Sequence, residues 1–338
     1  MSKKLLIVGT VIFILVSFSV DYAILSRHSS GAVSLLSSVL KTENLLDLQP
    51  IRALFVGDIM LDRWVANHAA QYGTASLFTN IRPLFEGNDM IVGNLEGTIT
   101  SEPSVTQNGS GLLQFTFNPQ LVRDTLVPLG FTAVTLANNH TLDFGQSGYE
   151  ETKANLIKDA ILSFGSPSNS KNLSAQKEVN GKLFCFVGYE EFVNSDPQPI
   201  LDEIYSLRAS CYRIIVVTHW GVEYIPTPTD RQKTLAHAFI DAGADVIIGS
   251  HPHIVQPFEI YKNKAIFYSL GNFMFDQNFS FETTHGLAVQ IDFSDTETHF
   301  TLMPVAILNE EASFASVDDR NQVFRALAVT TSDFSLQD

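Results

Sequence analysis

The chain has 338 residues, of which 45% are hydrophobic and 17% are charged, and its formal net charge is -15. This length suits one large globular domain or two small ones with a substantial core. The acidic excess argues against a nucleic-acid partner, because phosphate backbones are bound by clustered lysine and arginine. The same charge gives no electrostatic attraction to an anionic lipid surface.

An apolar stretch runs from Leu5 to Leu25 and follows Lys3 and Lys4. About 20 apolar residues are enough to cross a bilayer as a helix. The preceding lysines favour a cytoplasmic N-terminus with the bulk of the chain outside the cell. A cleaved signal peptide shares this pattern, but no clear small-residue cleavage site follows. We therefore favour an uncleaved, single-pass membrane anchor over residues 1–25, with the C-terminal domain extracellular.

The remaining chain divides by composition into three parts. Residues 26–50 are rich in serine and are predicted to form a tether, with a short helix around residues 34–46. The folded domain is expected over residues 51–310. Residues 311–338 are predicted to be a C-terminal tail, with packing on the domain as one option.

Within the domain, short apolar strands alternate with helices, which predicts an α/β fold whose sheet is buried on both faces. One helix is predicted over residues 118–129 and a second over residues 230–242, with Thr229 as its N-terminal cap. The predicted strands are 53–56, 90–92, 133–136, 182–187, 212–218, 244–248, 265–270, 287–293 and 301–308.

Two cysteines, Cys185 and Cys211, lie in strand-like apolar segments. They could form a disulfide, but isolated cysteines in such segments are more often small, buried core residues. We therefore expect two buried thiols, and the disulfide is the alternative.

Several predicted strands end in side chains that bind metals. In α/β sheets, ligands bind beyond the carboxyl ends of the strands. Each of these residues alone has an ordinary explanation, as a turn cap, a surface acid or a buried core histidine. Their recurrence at five strand ends predicts one shared metal site. The predicted ligands are Asp58, Glu96, Asn139, His219, His251 and His253.

A shell of carboxylate, amide and imidazole groups suits one or two divalent ions such as Mn, Zn or Fe. Such ions activate water and hold a phosphoryl oxygen, and His140 beside them could protonate a leaving group. Asp143 and Glu223 are candidates to hold His140 and His219 in the required tautomer, with plain surface acids as the alternative. Asn272 follows a strand and is a candidate either to fix the turn or to contact substrate.

Six ordered sequence blocks closely resemble those of CapA-type capsule and poly-γ-glutamate biosynthesis proteins, a branch of the calcineurin-like metallophosphoesterase superfamily. The blocks are GDIMLDR (57–63), GNLEGTIT (93–100), ANNHTLDFG (137–145), THWGVEY (218–224), GSHPHIVQPFE (249–259) and YSLGNFMFD (268–276). The resemblance implies a layered αββα sandwich behind an N-terminal transmembrane helix. It also implies that the metal ligands come from these blocks.

The blocks depart from the superfamily pattern at two positions. Met60 stands where phosphoesterases carry a ligand histidine, and Asn94 stands where they carry the carboxylate that bridges two metals. Glu96 is a candidate for the missing carboxylate. One metal position therefore has too few ligands, and we expect a single ion or a weakly bound second ion.

The resemblance implies two functions from different classes. In the first, the protein is an accessory subunit that acts with polymer synthase or export subunits and contacts an anionic polymer. In the second, it is a metal-dependent hydrolase at the cell surface that cleaves a phosphoester or the polymer. The biosynthetic role is favoured, and catalysis is left open.

Overall fold

The apolar runs of the sequence become the strands of two sheets in the computed structural model, which describes residues 49–106 and 113–337. The predicted membrane anchor and the predicted tether helix lie outside these residues. Within the two described ranges, no helix is long and apolar enough to cross a membrane.

The first sheet has nine strands. Its main path runs β16-β15-β14-β1-β2-β5-β6, with β13 also paired to β1 and β17 also paired to β15. The strands from β1 to β6 on this path are parallel, and β14 to β16 are antiparallel. The strands are β1 Ile51–Ile59, β2 Met90–Leu95, β5 Ala133–Thr135, β6 Leu162–Phe164, β13 Asn272–Met274, β14 His285–Phe293, β15 Glu297–Leu308, β16 Glu311–Phe314 and β17 Asp333–Gln337.

The second sheet has six strands in the order β11-β12-β10-β9-β8-β7, with a parallel centre and an antiparallel strand at each edge. A separate pair is formed by β3 Thr98–Ile99 and β4 Thr116–Phe117. The strands of the second sheet are β7 Ser174–Val179, β8 Lys182–Glu190, β9 Arg213–His219, β10 Val246–Ser250, β11 Phe258–Tyr261 and β12 Lys264–Phe267.

Several helices of the described residues begin at a residue whose side chain caps the first turn. Asn118 and Thr229 cap their helices through their side chains, and Gly243, with φ of 120°, ends the second one as predicted. A 3₁₀ segment spans Thr74–Phe85. The helices are α1 Arg63–Tyr72, α2 Pro119–Leu126, α3 Gly145–Lys158, α4 Gln198–Leu207, α5 Asp230–Ala242, α6 Phe281–Thr284 and α7 Val317–Leu327.

Three apolar clusters define the layers. One lies between the first sheet and the helices α1 to α3, the second lies between the two sheets, and the third lies between the second sheet and the helices α4 and α5. The described residues therefore form a mixed α/β sandwich with helices outside both sheets. Residues 311–337 contribute β16, α7 and β17, and both strands pair with β15.

The two cysteines correct one prediction, because Cys185 and Cys211 are bonded to each other and are not free thiols. Cys185 lies in β8, and Cys211 precedes the neighbouring parallel strand β9, so their Cα atoms are 6.0 Å apart. That separation lies within the range that a disulfide requires. Both residues are buried, as expected.

Removal of this disulfide is expected to lower the free energy of unfolding by about 3 kcal/mol, because the bond constrains the unfolded chain across 26 residues. The measurement is urea unfolding of the full chain with and without reductant. The Cys185→Ala/Cys211→Ala variant is the control, since its unfolding should not respond to reductant. Equal stability of oxidised and reduced wild type would contradict this expectation.

Candidate metal centre

The carboxyl ends of the parallel strands place the predicted ligands at one edge of both sheets. Asp58 on β1 is in register with Asn94 on β2 and with Asn272 on β13. On the second sheet, His219 at the end of β9 is in register with Ser250 at the end of β10. The strand pairing thus sets both halves of the site.

The loop after β10 adopts an unusual backbone conformation. His251 has φ of 92° and His253 has φ of 58°, in the left-handed region that residues with a Cβ rarely occupy. Before them, a Cβ on Gly249 would lie 2.0 Å from the carbonyl oxygen of Tyr268, so only glycine fits. The backbone is therefore strained where it brings two imidazoles to the site.

The first group of donors consists of Asp58, Glu96 and His253, which are all fully buried. Their ligand atoms all lie within 4.8 Å of one another. His253 Nδ1 is 3.4 Å from Asp58 Oδ2 and 2.9 Å from Asn272 Oδ1, and His253 Nε2 is 3.6 Å from Glu96 Oε1. Asn272 thus contacts a histidine of the site and does more than fix a turn.

The second group consists of Asn139, His219 and His251. His219 Nε2 lies 2.8 Å from Asn139 Oδ1 and 3.1 Å from His251 Nδ1. The other ring nitrogen of His219 is 3.1 Å from Ser250 Oγ. Amide oxygen and imidazole donors make this group neutral, whereas the first group contains two carboxyl groups.

Asn94 lies between the two groups but does not point an oxygen at either. Its Nδ2 donates to Asp58 Oδ1 at 2.7 Å and lies 3.1 Å from His219 Nδ1. Its Oδ1 accepts a hydrogen bond from Asn138 Nδ2 at 3.0 Å. The amide therefore links the two groups by hydrogen bonds and provides no negative charge between them.

Met60 packs in the apolar core, and its sulfur accepts the backbone N–H of Asp62 at 3.0 Å. Its side chain is fully buried among apolar neighbours. The resemblance would place a histidine at this position, and the chain has none there.

His140 lies beside the first group, and its ring is oriented by a contact with Asp143. Its Nδ1 is 2.8 Å from Asp143 Oδ2, and its Nε2 is 3.9 Å from Glu96 Oε1. The ring also packs on Phe115, with centroids 4.2 Å apart. An Nδ1–H that donates to Asp143 leaves Nε2 as the atom that can exchange a proton within the site.

Burial of the Glu96 carboxyl group disfavours its charged form. Its side chain is fully buried, and neither carboxylate oxygen has a hydrogen-bond partner among the described residues. Burial raises the pKa of Glu96 well above its ordinary value, and the opposing effect of His253 is smaller. A buried carboxylate without donors is costly unless a proton or a cation balances it.

The histidines differ in protonation because their neighbours differ. Burial lowers the pKa of His219 well below its ordinary value, and burial together with His253 lowers the pKa of His251 to about 3. Burial also acts to lower the pKa of His253, but Glu96 and Asp58 raise it to about 9. His219 and His251 are therefore neutral and available as ligands at pH 7, whereas His253 must release a proton when it binds a metal.

A cleft of about 340 Å³ opens onto this centre. His140, His253 and Glu223 line its polar side, and Arg63 pairs there with Asp276. The wider wall is aromatic and consists of Trp64, Phe115, Tyr224, Phe275 and Phe279. Sequence reasoning did not find this wall, because most of its residues lie in loops without periodic pattern.

The position of Glu223 differs from the one expected. The ring nitrogens of His219 contact Asn94, Asn139, Ser250 and His251. The exposed carboxylate of Glu223 instead lies with the ligand nitrogens of His251 and His253, all within 4.8 Å of one another. Phe192, which no sequence signal indicated, packs on the His251 ring with centroids 4.2 Å apart.

A family model described as bacterial capsule synthesis protein PGA_cap matches residues 52–277 of this chain. This chain belongs to the PGA_cap family. It is 33% identical over 275 residues to the PGA biosynthesis protein CapA of Bacillus subtilis, covering 76% of this chain and 72% of that protein. It is 34% identical over 303 residues to the capsule biosynthesis protein CapA of Bacillus anthracis, covering 82% and 72%.

Among solved structures, this chain is similar to that of the purple acid phosphatase PPD1 from yellow lupin. The identity is 9%, the TM-score is 0.41, and the match covers 86% of this chain and 54% of that chain. A likeness this low carries no conclusion about activity.

Proposed function

We propose that this PGA_cap member is an accessory protein of capsule or poly-γ-glutamate synthesis and export, with a metallophosphoesterase-like metal centre that contacts the polymer. The family match and the two CapA relatives support the biosynthetic role. The observation that supports the metal is Glu96, whose buried carboxylate lies near His253 and Asp58 and has no hydrogen-bond donor within residues 49–106 and 113–337. The donor set fits a divalent ion, because carboxylate, amide and neutral imidazole groups converge.

Under this proposal, Asp58, Glu96 and His253 hold one divalent ion of the Mn, Zn or Fe type. Asn139, His219 and His251 form a weaker neighbouring position, since they bring no negative charge. The cleft wall contains Glu223 and Asp276, and the whole chain carries a formal net charge of -15. An acidic polymer therefore needs a cation between its carboxylates and the protein.

The proposed location is the outer face of the cell membrane, with residues 1–25 as a single-pass anchor that keeps the protein beside synthase or export subunits. The apolar stretch behind Lys3 and Lys4 supports the anchor. The buried disulfide supports an external domain, because disulfides persist in oxidising surroundings and are rare in the reducing cytoplasm.

A second function, metal-dependent hydrolysis, is favoured by one observation, the pairing of His140 with Asp143 beside Glu96. A bound divalent ion supplies Lewis acidity and an activated water in such a site. Asp143 accepts a hydrogen bond from the Nδ1–H of His140. This bond leaves Nε2 facing the cleft, where, once protonated, it can deliver its proton to a leaving group. The ring of Phe115 packs on the imidazole ring of His140.

One experiment tests the accessory role against the hydrolase. The full chain in detergent is mixed with labelled poly-γ-glutamate in the presence of Mn²⁺ or EDTA, and polymer binding, polymer length and phosphodiester hydrolysis are measured together. We expect binding with Mn²⁺, loss of most of that binding with EDTA, and unchanged polymer length.

Two outcomes would change this conclusion. Shortened polymer or hydrolysed phosphodiester that is lost in His140→Asn would make the hydrolase the function. Binding of equal strength in Mn²⁺ and EDTA would contradict contact through a metal.

A further inference from the structure

A side chain that links the two groups of donors is an uncharged amide. Asn94 occupies the central position, but its oxygen accepts from Asn138 and its nitrogen faces Asp58 and His219. Two cations bound at adjacent positions repel one another, and a carboxylate shared between them offsets that repulsion. A second ion therefore requires an anionic ligand from elsewhere in the fold.

Glu223 lies on the solvent side of the site and is the carboxylate that meets this requirement. Its oxygen, a nitrogen of His251 and a nitrogen of His253 lie within 4.8 Å of one another. His251 belongs to the neutral group and His253 to the acidic group. Glu223 is thus the described residue whose carboxylate approaches both groups from the cleft.

The loop that carries Glu223 is fixed on both sides of it. Gly221 has φ of 87°, and its N–H donates to Glu191 Oε2 at 2.8 Å. Tyr224 has φ of 63°, and its N–H donates to the carbonyl oxygen of Pro252 at 2.9 Å. The second bond ties this loop to the residue between His251 and His253. The carboxylate is therefore held beside both imidazoles, although it is exposed.

We propose that Glu223 is a direct metal ligand that bridges the two groups of donors and takes the role that Asn94 cannot fill. This inference rests on the proposed metal centre and adds its missing anionic ligand. A sign of a cation that does not depend on Glu223 is Glu96, a fully buried carboxylate that has no hydrogen-bond donor in the described part of the chain and lies 3.6 Å from the same histidine, His253. Glu223 and Glu96 would then bind from opposite sides, one from solvent and one from the core.

The test is Mn²⁺ binding to the full chain in detergent, measured by equilibrium dialysis with ICP-MS and by electron paramagnetic resonance. The variants are Glu223→Gln, the shorter Glu223→Asp, and Glu86→Gln as a control at an exposed carboxylate beyond the 3₁₀ segment. Because Glu223 is exposed, all three variants should keep the melting temperature of the metal-free wild type.

We expect wild type to bind two Mn²⁺ ions with a spin-coupled spectrum. Glu223→Gln should bind the second ion at least about tenfold more weakly, because loss of a group that only supports a ligand already costs about 10- to 100-fold in affinity, and it should give the six-line spectrum of an isolated ion. Glu223→Asp should fall between them, and Glu86→Gln should match wild type.

Two results separate the failure of this inference from the failure of the proposed function. Wild-type stoichiometry and coupling in Glu223→Gln would overturn the role of Glu223 and leave the metal centre standing. Absence of bound Mn²⁺ in wild type would overturn both.

Discussion

Replacement of His251 and His253 together by alanine is expected to abolish metal binding and reduce polymer output to that of cells without the protein. His251 belongs to the neutral group of donors and His253 to the acidic group, so the double variant removes an imidazole from each. Loss of a group that only supports a ligand typically costs about 10- to 100-fold in metal affinity, so loss of two direct ligands should lower Mn²⁺ affinity by more than about 100-fold.

The measurement combines ICP-MS of the purified full chain with complementation of a poly-γ-glutamate-producing bacterium that lacks its own PGA_cap protein. His299→Ala is the matched control, because His299 lies on β15, its Nδ1 is 3.0 Å from Ser335 Oγ, and it belongs to neither group of donors. The control should keep both metal and polymer output.

Each unexpected outcome identifies the step at fault. Full polymer output without metal would show that the fold acts in synthesis without its metal centre. Full metal content without polymer would assign the two histidines a role other than metal binding. Membrane abundance of each variant is measured in parallel, so that loss of protein is not read as loss of function.

The convergence of the site could be predicted from the sequence because parallel strands share one carboxyl edge. Asp58 and His219 lie near the ends of strongly apolar strands, and His251 and His253 follow a third. Each of these strands overlaps the one predicted. The fold around them follows from the same apolar runs. Helix α5 begins and ends at the predicted residues, because its capping threonine and its final glycine are both explicit in the sequence.

Other features depend on contacts that no local pattern reveals. Helix α1 buries only Val65 and Ala69, so its sequence lacks a wide apolar stripe. The disulfide depends on β8 and β9 being neighbours, which the spacing of two cysteines does not show. Glu223 follows His219 by four residues, yet the turn at Gly221 carries its carboxylate to His251 and His253.

The Glu96→Gln variant is expected to be more stable than wild type without metal at alkaline pH and less stable with metal. In the metal-free wild type, burial raises the pKa of Glu96 above its ordinary value of 4.5. The folded state therefore keeps a proton that the unfolded chain has released, and stability falls as the pH rises above 4.5. His253 acts in the same direction, because the stability from its pKa of about 9 is lost as the pH rises from 6.5 through 9.

Glutamine removes the buried acid and its effect on the pKa of His253, so this pH-dependent cost becomes smaller, although Asp58 still raises the pKa of His253. We expect the free energy of unfolding of metal-free Glu96→Gln, relative to that of wild type, to rise by about 1–3 kcal/mol from pH 5 to pH 8. In excess Mn²⁺ the order reverses, because wild type binds the ion more tightly and ligand binding stabilises the folded state. The measurement is urea unfolding of both chains at the two pH values, with Mn²⁺ and with EDTA.

Glu190→Gln provides the contrast at a second buried carboxylate. Glu190 accepts backbone N–H bonds from Phe192, Val193 and Asn194, so its charge has donors that Glu96 lacks. Its replacement should destabilise the protein with or without Mn²⁺, since those donors lose a charged acceptor. If Glu96→Gln behaved in the same way, with equal destabilisation in Mn²⁺ and in EDTA, Glu96 would be a structural acid and the metal centre would lose its main support.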